Sequence, residues 1–217
     1  RLSDTLDPWV YEPTYFAYSG RGDLKFQYVH NSGENRRIDP SKSNIVDVYL
    51  LTSSYDIAYR NWLTTGSGTE PLPPTSSSLE QSFSGGLDSI KTISDEIIFQ
   101  PVKYKVLFGN TAVENLQATF KAVKNPTRPN SDNDLISRIL SAINEFFALE
   151  NWDFGQSFYF SELTTYVMNA MTPDITNFVI VPSSNSFGNL YEVACQSNEI
   201  FISGATASNI EIIDAIT

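Results

Sequence analysis

From position 131 onward the chain spaces its apolar residues in a way that suits a helix. Leu135, Ile136, Ile139, Leu140, Ile143, Phe146 and Phe147 recur at steps of three and four, and a 3.6-residue turn gathers such positions into one broad apolar face. Ser131 or Asp132 stands where an N-cap is needed, with Pro129 just upstream, where its missing N–H interrupts nothing. A face this wide must be buried against a second layer, so the elements after the helix decide the architecture. Ser161 offers the cap of a second helix, with Leu163, Tyr166, Val167, Ala170 and Met171 turned inward and Pro173 ending it. "ITNFVIVP" then reads as an almost wholly apolar strand, and "NLYEVACQ" and "NEIFISG" as two more after a Ser- and Gly-rich turn. The order strand, helix, helix, strand, strand, strand predicts an α+β fold, with both helices packed on one face of a mixed sheet that contains residues 177–181.

The first half is punctuated differently. "PTYFAYSGRGDLKFQYVHNSG" alternates large and small side chains around a Gly-rich break, as a hairpin or strand pair does, and "NIVDVYLLT" is the next strand. In "SSYDIAYRNWL" Ser53 or Ser54 can cap a helix whose apolar contacts are Ile57, Tyr59 and Trp62. "TTGSGTEPLPPTSSS" breaks every periodicity and reads as an exposed loop. A short helix is expected around "SLEQSFSGGLDSIKTI", weakened by Gly85 and Gly86, each of which costs about 1 kcal/mol inside a helix. "EIIFQPVKYKVLFG" is a strand begun or broken at Pro101, and "VENLQATFKAV" continues as strand or short helix. These elements predict two small layered domains of the α/β-sandwich type: 1–95, carrying the long Gly/Pro loop, and 96–217.

With 217 residues and 41% apolar content the chain can bury a proper core, and no apolar run approaches the roughly 20 residues that span a bilayer. The start, "RLSDTLDPWV", has neither the pattern of a signal peptide nor an initiator Met, which predicts a piece of a longer protein. The one cysteine, Cys195, precludes an internal disulfide, and its alternation with apolar neighbours predicts a buried strand thiol. Charge is distributed unevenly. Of the net −11, residues 131–217 carry −10, with eleven carboxylates against the single cation Arg138. Such a surface repels phosphate, which speaks against nucleic acid and anionic membranes and suits either a basic protein partner or plain solubility.

The candidate for chemistry is "ENWDFGQSFYFSEL", residues 150–163, where Glu150, Asp153 and Glu162 stand among five aromatic rings. A carbohydrate cleft uses that combination, but a glycosidase needs two carboxylates held across a substrate, and sequence spacing does not set that distance. Rings between two helices also complete cores, Gly155 permits a turn that a Cβ would obstruct, and Glu162 suits a first helical turn. A structural role is the expectation. His30 is the one histidine, so neither a His-based metal cluster nor a His pair can form. No G-x-S-x-G elbow occurs, "SGRGDL" lacks the spacing and lysine of a phosphate loop, and its RGD reads as turn chemistry before adhesion. Nothing in the residues alone requires an enzyme, and no catalytic residue, metal or cofactor is expected.

A resemblance adds to this. "LISRILSAINEFFALENWDFGQSFYFSELTTYVMNAMTPDITNFVIVP", followed by "FGNLYEVACQSNEIFISGAT", is similar to the C-terminal part of baseplate wedge proteins of T-even-like contractile-tailed phages and to the layout of the baseplate J-like family. In that layout a helix precedes a W-x-F-G corner, a Ser begins a second helix, and an apolar strand leads to an acidic residue before the last strand. Here these are Trp152 to Gly155, Ser161, Phe178 to Val181 and Glu199. The match covers about residues 135–205; before residue 95 it extends only to a strand and helix unit. The resemblance implies a non-enzymatic structural part of the virion, a wedge-subunit fragment of the tail baseplate made in the host cytoplasm. It implies partners among the other wedge subunits and copies of itself, as a homodimer or ring. The alternative is a carbohydrate-binding or carbohydrate-cleaving tail component built on residues 150–163.

Overall fold

The computed structural model describes residues 24–30, 45–87, 96–183 and 192–215. The chain divides into two compact units, Arg1–Lys103 and Tyr104–Thr217, and its helices and small mixed sheets make it an α+β protein.

In the first unit β2 (Ile45–Thr52) lies between β1 (Leu24–His30), antiparallel to it, and β3 (Glu96–Pro101), parallel to it. Parallel neighbours need a crossover. The helices α1 (Ser53–Thr65) and α2 (Ser76–Phe83) lie within it. Val46, Val48 and Leu50 of β2 pack with Leu79 and Phe83 of α2 and with Phe99 of β3. The cap of α1 is Thr52, one residue ahead of the expected serines, its hydroxyl accepting from the Tyr55 amide at 3.4 Å. Tyr55 and Tyr59 form the buried stripe, whereas Ile57 is 58% exposed. Positions 55 and 59 are one turn apart and 57 falls roughly opposite both, so the expected inward Ile57 is corrected by helix geometry. Trp62 is half-buried, its ring edge-on to Tyr59 at 5.3 Å. After α2 the two glycines sit in a short 3-10 turn, Ser84–Leu87, outside the helix that they would weaken. The Gly- and Pro-rich connection after α1 is an irregular, mostly exposed segment. The expected hairpin around "SGRGDL" and the helical continuation past residue 87 lie outside the described residues.

The unit boundary falls after Lys103, not after residue 95. β3 runs along β2 and the Val102 amide donates to the Leu50 carbonyl at 2.9 Å, which ties this segment to the first sheet. Sequence reading assigned it forward because "EIIFQPVKYKV" looks like one strand. The break lies at Val102, and β4 (Lys103–Leu107) pairs instead with β9 (Glu199–Ser203).

In the second unit β5 (Ala118–Lys124) is flanked by β10 (Ile210–Asp214), parallel, and β7 (Ile175–Pro182), antiparallel. A pair of two-residue strands, β6 (Phe158–Tyr159) and β8 (Glu192–Val193), completes the pairing. Helix α3 (Asp132–Phe146) packs on β10, α4 (Phe160–Met171) packs on β7, and the two helices touch each other. Helices in mutual contact cannot lie on opposite sides of a sheet, so both cover the face to which Ala118, Phe120, Ala122 and Phe178 point. Helix α4 begins at Phe160, not Ser161, and its cap position, Tyr159, makes no side-chain capping bond. Pairing with β8 carries the chain in extended form as far as Tyr159. The buried stripe of α4 is Phe160, Leu163, Val167 and Met171; Tyr166 is half-buried and Ala170 is exposed, because that stripe is narrower than the composition suggested.

The core of this unit is a cluster of rings around Phe108, which is fully buried and meets Phe120, Phe147, Phe158 and Phe160 at 4.9, 6.1, 5.9 and 6.2 Å. Phe108 has φ +64°, a left-handed conformation that costs about 1–3 kcal/mol for a residue with a side chain. Burial of the ring, roughly 2–3 kcal/mol for a phenylalanine, offsets it. Gly109 follows at φ +66°, and a Cβ there would fall on the carbonyl oxygen of Gly204. The two glycines let the turn after β4 and the end of β9 meet backbone to backbone, where the Gly204 amide donates to the Leu107 carbonyl at 2.8 Å.

Candidate functional site

Residues 150–163 begin where α3 ends. A helix leaves its last carbonyls without partners, and α3 carries no basic residue in its last turn to meet them. Two side chains from the stretch after it do so. The Trp152 indole N–H donates to the Phe146 carbonyl at 2.8 Å, and the Asn151 amide donates to the Glu145 carbonyl at 2.8 Å. The Trp152 ring lies flat on Phe147, centroids 5.5 Å apart with 12° between planes, and edge-on to Phe201 of β9 at 5.2 Å. One tryptophan thus closes the helix and clamps it to the β4–β9 pair.

Gly155 makes the next turn at φ +76°, and a Cβ there would lie 3.2 Å from the Cα of Ser197. Its amide donates to the Glu199 carbonyl at 2.9 Å. Glu199 is 9% exposed; its carboxylate accepts from the Gln196 amide at 2.9 Å and stands 3.7 Å from the Lys105 ammonium. The W-x-F-G corner and the acidic residue, which opens β9 and does not precede it, are forty-odd residues apart in sequence and in direct contact. Cys195, expected as a buried strand thiol, lies in the connection between β8 and β9 and is half-buried. The ladder ends at Val193 because the next backbone groups close a turn, the Glu199 amide donating to the Gln196 carbonyl at 2.8 Å and Lys105 to the Ala194 carbonyl at 2.7 Å.

Trp152, Phe154, Phe158 and Phe160 are 3%, 6%, 0% and 8% exposed. A sugar stacks on the open face of a ring, and these four have none to offer. The three carboxylates go elsewhere: Glu150 is exposed in the 3-10 turn Leu149–Asn151, Asp153 is half-buried, and Glu162 is exposed in the first turn of α4, where the macrodipole favours its charge. Among the described residues nothing groups the three about a common cavity.

Among the described residues, two hollows open to solvent bear on a site. One, about 250 Å³, lies in the first unit between the start of α1 and α2 and is lined by hydroxyls, among them Thr52, Ser54 and Ser78. Thr52 is already engaged by the Tyr55 amide and the Ser54 hydroxyl. The other, about 380 Å³, is a shallow groove on the second unit lined by Phe146, Ser161, Glu162, Thr165, Tyr166 and Asn169. Sequence reading placed Phe146 and Tyr166 in the core, yet both are half-buried, their rings 5.4 Å apart and tilted by 60°. Successive residues on a helix point about 100° apart, which sets the adjacent Phe146 and Phe147 at opposite margins of the apolar face, and it is Phe147 that is buried. That pairing was the signal available in the sequence. Ser161, expected as a cap, lines this groove.

Among the described residues no group of three or more His, Cys, Asp or Glu side chains is placed to hold a metal ion, and no helix is long and apolar enough to cross a membrane. His30 ends β1. Compared with known proteins, the chain matches no family model, and no curated protein matches it.

Proposed function

We propose that the chain is a structural component of a contractile-tail baseplate, part of a wedge subunit in the virion that acts by assembling with other wedge subunits and with copies of itself. The reading rests on the sequence resemblance over residues 135–205. The observation that best supports it is the contact between the two parts of the resembling pattern, in which Gly155 bonds to the Glu199 backbone and Trp152 packs on Phe201. Residues that recur in order because they hold one fold together behave in this way. The carbohydrate alternative needs exposed rings and facing carboxylates from residues 150–163; burial of Trp152, Phe154, Phe158 and Phe160 withholds four of the five rings and leaves Tyr159, 40% exposed, alone.

Charge suggests how association divides. With −10 on residues 131–217, an acidic face repels its own copy, so self-contact belongs to the first unit or to an apolar patch, and the acidic face to a more basic subunit. Sedimentation from low to high salt tests the first contact, which should persist, and capture of wedge subunits tests the second, which should weaken as salt rises. A chain that stays monomeric at high concentration, captures no wedge subunit and binds or cleaves a cell-surface glycan would overturn the proposal.

A further inference from the structure

We infer that the groove beside the end of α3 is a seat for an arginine side chain of a more basic protein partner. The inference deepens the assembly reading and rests on it in supposing that such a partner exists.

The groove combines what a guanidinium binds. Phe146 and Tyr166 present half-exposed rings, and Glu162 stands one turn before Tyr166 on the same face of α4. Across from them lies the Glu145 carboxylate; burial and its charge raise the Tyr166 pKa, so the ring meets the groove as a neutral phenol. Ser161, Thr165 and Asn169 line the rim with polar groups. A planar guanidinium can lie against a ring while its N–H groups fork to a carboxylate, which a compact ammonium does less well. Two half-exposed rings tilted by 60° make a poor platform for a sugar, which needs one open face.

The unit's own cations leave this place vacant for an outside charge. Residues 104–217 hold five, against twelve carboxylates. Lys105 faces Glu199 at 3.7 Å, Lys121 faces Glu211 at 3.0 Å, and Lys124 bridges Asp132 and Asp214 at 3.1 and 2.8 Å. Arg138 bridges Asp134 and Asp174 at 3.4 and 2.7 Å, and Arg128 adds its field to Asp174. All five are thus drawn to other carboxylates, while Glu145 and Glu162 flank two apolar rings. An arginine entering from a partner meets attraction there, and a second copy of this acidic unit meets repulsion.

The test titrates the whole chain, isotope-labelled for NMR, with the peptide acetyl-Gly-Ala-Arg-Ala-Gly-amide and with its citrulline counterpart, which keeps the shape and lacks the charge. The expected result is saturable shifts of the Phe146, Glu162, Tyr166 and Asn169 amides with the arginine peptide, and none with citrulline. Replacing Tyr166 with Leu should weaken binding about tenfold, the loss of one desolvated ring contact. Glu162→Gln, an exposed change that leaves the core intact, should weaken it by about threefold to tenfold. Shifts scattered over all acidic surfaces without saturation, an equal response to citrulline, or full affinity in both variants would overturn the inference. The assembly reading fails on a separate result, the absence of wedge-subunit capture, so a groove that ignores arginine in a chain that still captures its partners sinks only the groove.

Discussion

Replacing Trp152 with Ala removes three things at once, and their sizes can be separated. The side chain is 3% exposed; a buried aromatic of its kind covers roughly 150–250 Å², which at about 25 cal/mol per Å² is worth about 4–6 kcal/mol. Alanine retains a little of that. The bond from its indole N–H to the Phe146 carbonyl at 2.8 Å contributes about 1 kcal/mol net, and its loss uncaps α3. The face on Phe147 and the edge on Phe201 add a smaller geometric share. Partial collapse of the cavity returns some of the loss, which brings the expected cost to about 3–5 kcal/mol. Trp152→Phe keeps most of the apolar area and loses the donor, so it should cost about 1–2 kcal/mol. Urea denaturation read by hydrogen exchange in peptides from α3 and α4 reports this unit separately. With a slope of about 2 kcal/mol per molar, the alanine variant should unfold about 2 M earlier and the phenylalanine variant less than 1 M earlier. An alanine variant within a few tenths molar of the parent would refute the packing role of residues 150–163. Equal losses in the two variants would refute the balance between burial and hydrogen bond.

Gly155→Ala adds a left-handed alanine at φ +76° whose Cβ meets Ser197, and it should destabilise the second unit by about 1–3 kcal/mol in the same urea assay. The Arg138 guanidinium, 2.7 Å away, holds Asp174 below its ordinary value of 3.8; a depressed carboxylate contributes stability above its unfolded pKa that is lost as pH falls through the folded one. Asp174→Asn should therefore be less stable than the parent at neutral pH, and the gap between their melting temperatures should close below about pH 4. In the first unit the Tyr59 hydroxyl donates to Glu70 at 2.8 Å from a ring 1% exposed. Tyr59→Phe should cost about 1 kcal/mol and speed proteolysis in the connection between α1 and α2, as followed by timed digestion.

How far the fold could be read from the residues depended on the range of the interaction that decides each feature. The face of α3 was legible because six of its seven apolar positions are neighbours on one helix and the seventh, Phe147, caps it, and the strand 175–182 because an uncharged run so bounded has few other uses. β10 was missed, since "IEIID" carries two acids in five residues and becomes a strand only by pairing with β5, some ninety residues away. The unit boundary was misplaced for the same reason: partners in different sheets divide "EIIFQPVKYKV" into β3 and β4. Residues 150–163 mark the limit most clearly. A ring that fills a core and a ring that carries a sugar have the same side chain, and only the direction in which each points tells them apart. Here that direction follows from contacts made far along the chain, with Phe201 beneath Trp152 and Ser197 beside Gly155. The groove beside α3 arises from the same constraint on a smaller scale. Once Trp152 seals the helix end and Phe147 enters the core, Phe146 is turned outward toward Tyr166, and the acidic rim about that pair is set by the pitch of α4.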